Sequence, residues 1–129
     1  MKLLIFFYFS CLKLFISMKY FFLILFTIIQ SSNYEIIELN DYKKKINKGY
    51  QIIDVRTQSE FVHGHIPNAT NIDFYNSSFI TEINKLSKNK PVLIYCRSGN
   101  RSQKAGVIMD SLGFDKIYDL KGGYSIWNP

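Results

Sequence analysis

The chain has 129 residues and a formal net charge of +6 that is unevenly mixed along its length. Residues 1–32 hold three lysines (Lys2, Lys13, Lys19), no acidic residue and nine of the twenty Phe and Tyr residues, whereas residues 33–129 mix thirteen Lys plus Arg with ten Asp plus Glu. A net of +3 with interspersed signs is an ordinary soluble surface and excludes the concentrated basic patch of a nucleic-acid binder; 97 residues fill one domain with little margin for a second site.

Two units are therefore expected, an apolar leader over 1–32 and a domain over 33–129. In the leader, Met18-Lys19, the apolar run Tyr20–Ile29 and then Gln30-Ser31-Ser32 have the three parts of a secretory signal. This reading makes Met18 a possible true start, a mature chain beginning near Asn33, and a protein exported to a periplasm or secreted. The alternative is a membrane anchor over Leu3–Ile29, which is long enough to span but is interrupted by Lys13 and Lys19. An uncleaved leader would be the protein's only link to a membrane. Of the two cysteines, Cys11 lies in the leader, and its spacing from Cys96 fits neither a zinc site nor a CxxC pair. Cys96 is expected to be a free thiol.

From Asn33 onward, short apolar runs alternate with helix-like stretches. Tyr34–Leu39 reads as a strand, followed by a helix capped by Asn40 or Asp41 and ended at Lys48-Gly49. Gln51–Val55 is a β-branched apolar run of the kind covered on both faces. Thr57-Gln58-Ser59-Glu60 fits a capping box and opens a short helix over 58–63. Ala69–Asp73 suits a strand, Ser78–Leu86 a helix with Phe79, Ile83 and Leu86 on one face, and Pro91–Tyr95 another strand with Pro91 at its entry. Arg101–Leu112 reads as a helix closed by Gly113, Lys116–Leu120 as the last strand, and Tyr124–Trp127 as a terminal helical turn. This alternation predicts an α/β fold with a central, mostly parallel five-stranded sheet and helices on both faces.

In such sheets reactive groups lie beyond the carboxyl ends of the strands, where Cys96 stands. Arg97-Ser98-Gly99-Asn100-Arg101 follow it, and then a helix begins. Gly99 lets a short loop curl so that N–H groups point at the sulfur, and the helix start and two arginines add positive charge. All three favour thiolate, lowering a thiol pKa that is ordinarily about 8.5. Asp54, at the end of a neighbouring strand, is placed to accept hydrogen bonds that brace this loop. Arg56 and Glu60 are spaced to pair with each other. His63 and His65 have no evident third metal ligand, and His65 beside Pro67 suits a turn.

Cys96-Arg97-Ser98-Gly99-Asn100-Arg101-Ser102 closely resembles the active-site loop of rhodaneses. Ile53-Asp54-Val55-Arg56, then Glu60-Phe61 and Gly64-His65-Ile66-Pro67-Asn68-Ala69, resemble that family's first signature, and Leu120-Lys121-Gly122-Gly123 with Trp127 its closing one. Asn68 stands where relatives often carry Gly, a position Asn tolerates. The resemblance implies a rhodanese-like fold and a sulfurtransferase that needs no cofactor and no metal. Cys96 would take a sulfane sulfur from a donor such as thiosulfate and pass it to cyanide, a small thiol or a thiol-bearing protein. It also implies that Arg97 meets an anionic donor while N–H groups of Arg97, Ser98, Gly99, Asn100 and Arg101 hold the terminal sulfur. Two other readings remain open. One is a non-catalytic binding module of the same fold. The other is a relative of the cysteine phosphatases and arsenate reductases, although phosphatase loops place five residues between Cys and Arg, and only four separate Cys96 from Arg101.

Overall fold

A computed structural model of the chain describes residues 1–28 and 32–127, with Met1–Ser31 and Ser32–Pro129 as two separate compact units. The first unit is helix α1, Lys2–Ile28. Gln30 and Ser31 of the expected cleavage region, like the side chain of Cys11, lie outside the described residues. Among the described residues, no helix is long and apolar enough to cross a membrane.

The second unit is built on five strands, β1 (Tyr34–Ile37), β2 (Gln51–Asp54), β3 (Thr70–Asn71), β4 (Val92–Tyr95) and β5 (Ile117–Leu120). They form one sheet in the order β1-β5-β4-β2-β3, parallel at every pairing rather than only mostly so. The central strand β4 is buried at all four residues, as its unbroken apolar run requires when both faces are covered. Helices α4 (Phe79–Asn84) and α5 (Asn100–Ser111) pack on one face around Ile53, Val55, Ile83, Ile94 and Met109. Helix α2 (Leu39–Asn47) and the final turn α6 (Tyr124–Trp127) pack on the other around Tyr42, Leu93, Tyr95 and Leu120. Trp127 is half-buried at the edge of this second cluster, with Lys43 Nζ 5.2 Å from its ring.

Several boundaries differ from expectation, each for a local reason. Helix α2 starts at Leu39, with Glu38 rather than Asn40 or Asp41 at its cap. The Glu38 carbonyl accepts from the N–H of Tyr42, the fully buried residue that anchors the helix. Asp41 instead occupies the first turn, where a carboxylate favours the helix dipole, and pairs with Lys44 at 2.8 Å. Strand β3 keeps only two of the five expected residues. Asp73 Oδ1 accepts from the N–H of Tyr75 and turns the chain away from the sheet. Helix α3 (Gln58–Val62) has the full capping box. Thr57 Oγ1 accepts from Glu60 N–H, and the Glu60 carboxylate accepts from Thr57 N–H. Asn68 adopts the left-handed backbone that its place in the motif implies, at φ 65°.

Candidate active site

Cys96 follows β4 in the middle of the sheet, and only 1% of it is exposed. The chain then curls back at Gly99, whose φ of 107° is a conformation that costs a side-chain-bearing residue. This places the Gly99 N–H 3.1 Å from Cys96 Sγ, donating to it. The Ser102 hydroxyl lies 3.5 Å from the same sulfur and 3.1 Å from the Gly99 carbonyl oxygen. Burial pushes the Cys96 thiol up. The Ser102 hydroxyl and the backbone N–H groups of Ser102, Gly99 and Ser98 outweigh that, and hold it below the ordinary thiol range. The curl of the loop and the start of α5 therefore act as expected. Asn100 begins the helix and is exposed.

The two arginines separate in role. Arg97 is exposed and lines an open cavity of about 510 Å³ whose walls include Arg56, His63, Gly64, Tyr124 and Ser125. Arg101 is committed elsewhere. Its Nη1 and Nη2 bind Glu60 Oε2 and Oε1 at 2.6 and 2.8 Å. That fork, with support from Thr57, carries the Glu60 carboxyl down to about 2 despite partial burial. Glu60 thus does not pair with Arg56, contrary to the spacing argument. The capping box folds its carboxylate back over the first turn of α3, toward the start of α5.

Asp54 accepts hydrogen bonds at the end of β2, chiefly from Arg56. It is fully buried, and a buried carboxylate needs a cation at hand. Arg56, two residues on, supplies it, with Nε 3.0 Å from both carboxylate oxygens and Nη2 2.7 Å from Oδ2. Arg56 Nη2 also donates to the Gly64 carbonyl at 2.6 Å, and its guanidinium lies 4.1 Å from the Tyr124 ring centroid. The pair therefore ties the end of β2 to Gly64 beyond α3 and to Tyr95, the residue that precedes Cys96. His63 and His65 each set Nδ1 against a carbonyl of α3, those of Ser59 and Phe61, and His65 stacks on Phe61.

The cysteine loop is braced from the opposite side. The Tyr124 N–H donates to the Cys96 carbonyl at 2.8 Å, and the Ser125 N–H and hydroxyl donate to the Arg97 carbonyl at 3.0 and 2.8 Å. Gly123, at φ 61°, makes this approach possible, because a Cβ there would run into the Cys96 carbonyl oxygen. Sequence reasoning placed Gly122-Gly123 in the closing signature but gave Gly123 no part in holding the cysteine loop. It also assigned no role to Ser102, though the hydroxyl stands in the motif itself, nor to Asp119, which is fully buried in β5 and accepts from the Tyr34 hydroxyl at 2.7 Å. The visible signal for Asp119 was an acid inside an otherwise apolar strand.

Comparison with known proteins agrees with this geometry. Residues 38–129 match the family model described as the rhodanese-like domain. A thiosulfate sulfurtransferase GlpE of Shewanella oneidensis is 35% identical over 81 residues, 63% of this chain and 78% of its own. The uncharacterized protein YqhL of Bacillus subtilis is 38% identical over 66% of this chain and 68% of its own. Among solved structures, a rhodanese-related protein from Thermoplasma volcanium superimposes with a TM-score of 0.65 at 33% identity, covering 73% of this chain and 90% of that one. A buried cysteine at the end of the central parallel strand, cradled by its own loop, and a family match over most of the chain lead to one conclusion: this chain belongs to the rhodanese-like family.

Proposed function

We propose that the protein is a sulfurtransferase that carries sulfane sulfur as a persulfide on Cys96. The observation that carries this reading is the Gly99 N–H aimed at a buried Cys96 sulfur, which favours thiolate and would equally favour a bound terminal sulfur anion. In the first step the Cys96 thiolate attacks the sulfane sulfur of thiosulfate, the S–S bond of thiosulfate breaks, and sulfite leaves with the electron pair. In the second step a nucleophile such as cyanide or a thiolate attacks the terminal sulfur and releases the Cys96 thiolate. Neither step needs a proton, a metal or an external oxidant. N–H groups between Arg97 and Arg101 hold the terminal sulfur, and Arg97 faces the incoming anion. Asp54 and Arg56 keep the β2–α3 wall of the cavity in place. Relatives named thiosulfate sulfurtransferase support this assignment over a docking module that happens to keep the cysteine. The Arg101–Glu60 pair weighs against phosphoryl chemistry, since it occupies the guanidinium that would clamp phosphate oxygens. Thiosulfate-to-cyanide transfer by the purified protein, read as thiocyanate formed, tests the reading.

Arg97→Ala separates donor binding from loop architecture. Removing a charge that meets the donor should cost about 1.5–3 kcal/mol, roughly tenfold to a hundredfold in kcat/KM with thiosulfate. An uncharged persulfide donor should be affected far less. Equal losses with both donors would place Arg97 in loop structure instead.

We further infer that residues 1–32 direct export and are removed, leaving a mature chain that starts near Asn33. Mass spectrometry of the native protein should find that N-terminus in a periplasmic or secreted fraction. An intact N-terminus in a soluble cytoplasmic fraction would contradict both export and anchoring.

A further inference from the structure

The charged and basic side chains of the cavity wall are Arg56, Glu60, His63 and Arg97, and most of them are already engaged. Arg56 is paired with Asp54 at 2.7 Å. Glu60 is paired with Arg101, each carboxylate oxygen taking one terminal nitrogen, at 2.6 and 2.8 Å. His63 sets Nδ1 against the Ser59 carbonyl at 2.7 Å. Exposed Arg97 is the one permanent cation of this wall without an acid partner among the described residues.

A second cation stands directly behind that wall. Arg101 belongs to the first turn of α5, between Gly99 and Ser102, the two residues whose N–H and hydroxyl reach Cys96 Sγ. Its guanidinium touches a carboxylate that itself lines the cavity, and the two side chains are 13% and 28% exposed. Glu60 is fixed from its own helix, because the N–H and the hydroxyl of Thr57 both donate to Oε2 at 3.0 Å. The Tyr75 ring flanks the guanidinium, with its centroid 5.6 Å from the central carbon. With its carboxyl at about 2, Glu60 is ionised at neutral pH and the pair stays closed.

A guanidinium fork matches a tetrahedral oxyanion as well as it matches a carboxylate. If Arg101 were free, a phosphate, sulfate or arsenate ion in the cavity would meet two cations, one of them in bidentate geometry. As built, such an ion meets Arg97 and, across from it, the Glu60 carboxylate, which repels it. Thiosulfate differs from these ions by its outer sulfur, the atom that the Cys96 thiolate attacks, so its capture does not depend on a second clamp. We propose that Glu60 is a specificity-determining residue: by occupying both arms of Arg101 it keeps the cavity from binding tetrahedral oxyanions that carry no sulfane sulfur. The inference deepens the sulfurtransferase reading and rests on it for the cavity's role as the donor's path, while anion binding is measured apart from transfer.

Isothermal titration calorimetry of the full chain with inorganic phosphate reads the binding, and phosphate inhibition of thiocyanate formation reads its effect on transfer. Glu60→Gln suits the capping box, which takes Gln at that position, and removes the charge that holds the fork. It should bind phosphate roughly tenfold or more tightly than the native protein, as expected for gaining hydrogen bonds to a charged group. Phosphate should then compete with thiosulfate, which it does not do in the native protein. Glu60→Gln combined with Arg101→Gln should lose the gain, whereas a merely loosened wall would keep it. Unchanged phosphate affinity in Glu60→Gln, or a gain that survives Arg101→Gln, would overturn the proposal. If Glu60→Gln does not fold, Glu60→Asp decides alone: its carboxylate falls one methylene short of the guanidinium and should give a gain of the same sign, and no gain counts against. Phosphate binding that rises as described in a protein unable to transfer sulfur would uphold the role of Glu60 and remove the sulfurtransferase reading instead.

Discussion

Cys96→Ser should abolish the proposed sulfur transfer from thiosulfate and leave the fold intact. Serine is close in size and occupies a site that is only 1% exposed, so no cavity of consequence opens. Its hydroxyl can still accept from the Gly99 N–H and pair with Ser102, so no buried polar group is left without a partner. What disappears is the chemistry, since an alcohol at neutral pH neither ionises appreciably nor forms a persulfide. Thiocyanate formation should fall to the uncatalysed background while circular dichroism and the thermal midpoint stay near the native values. Turnover by the variant above background would exclude Cys96 as carrier.

Gly123→Ala should nearly match that loss by a different route. A methyl group there runs into the Cys96 carbonyl oxygen and comes within 2.7 Å of the Arg97 carbonyl oxygen, both backbone atoms with little freedom to yield. The loop must back away, breaking the hydrogen bonds from Tyr124 and Ser125 that hold it. The overpacking costs about 1–3 kcal/mol, and the positive φ adds about 1–2 kcal/mol. Because a misplacement near 1 Å costs roughly a hundredfold in rate, transfer should fall by about that factor. Gly113→Ala is the control. It shares a positive φ but has nothing within 4 Å of the added methyl, so it should lose about 1 kcal/mol of stability and keep its activity. Equal activity losses in the two variants would show that backbone strain, not the approach to Cys96, governs the effect.

What could be read from the sequence was what is written locally. The apolar run at Val92–Tyr95 marks a covered strand, because a strand buried on both faces has no polar alternation to lose. Thr57 and Glu60 lie three residues apart, so their reciprocal capping needs nothing from the rest of the chain. The Cys96–Arg101 stretch likewise holds its strand end, curl and helix start in six residues. The errors fall where a local spacing competes with a distant partner. Glu60 is four residues from Arg56 yet binds Arg101, 41 residues away, because the fold brings the start of α5 beside α3 and Asp54 has already taken Arg56. Asp119 and Gly123 take their roles from what lies across the sheet. Asp119 meets a tyrosine 85 positions earlier, and Gly123 meets the carbonyl of Cys96. No spacing rule connects such residues before the sheet order is known.

The most direct measurement of the central claim is the intact mass of the full chain before and after incubation with thiosulfate, and again after cyanide, with the modified residue located by peptide mapping. The account predicts a gain of one sulfur atom on the Cys96 peptide, its loss on adding cyanide, and no gain in Cys96→Ser. No gain at all, or a gain carried by Cys11 with Cys96 unmodified, would contradict it.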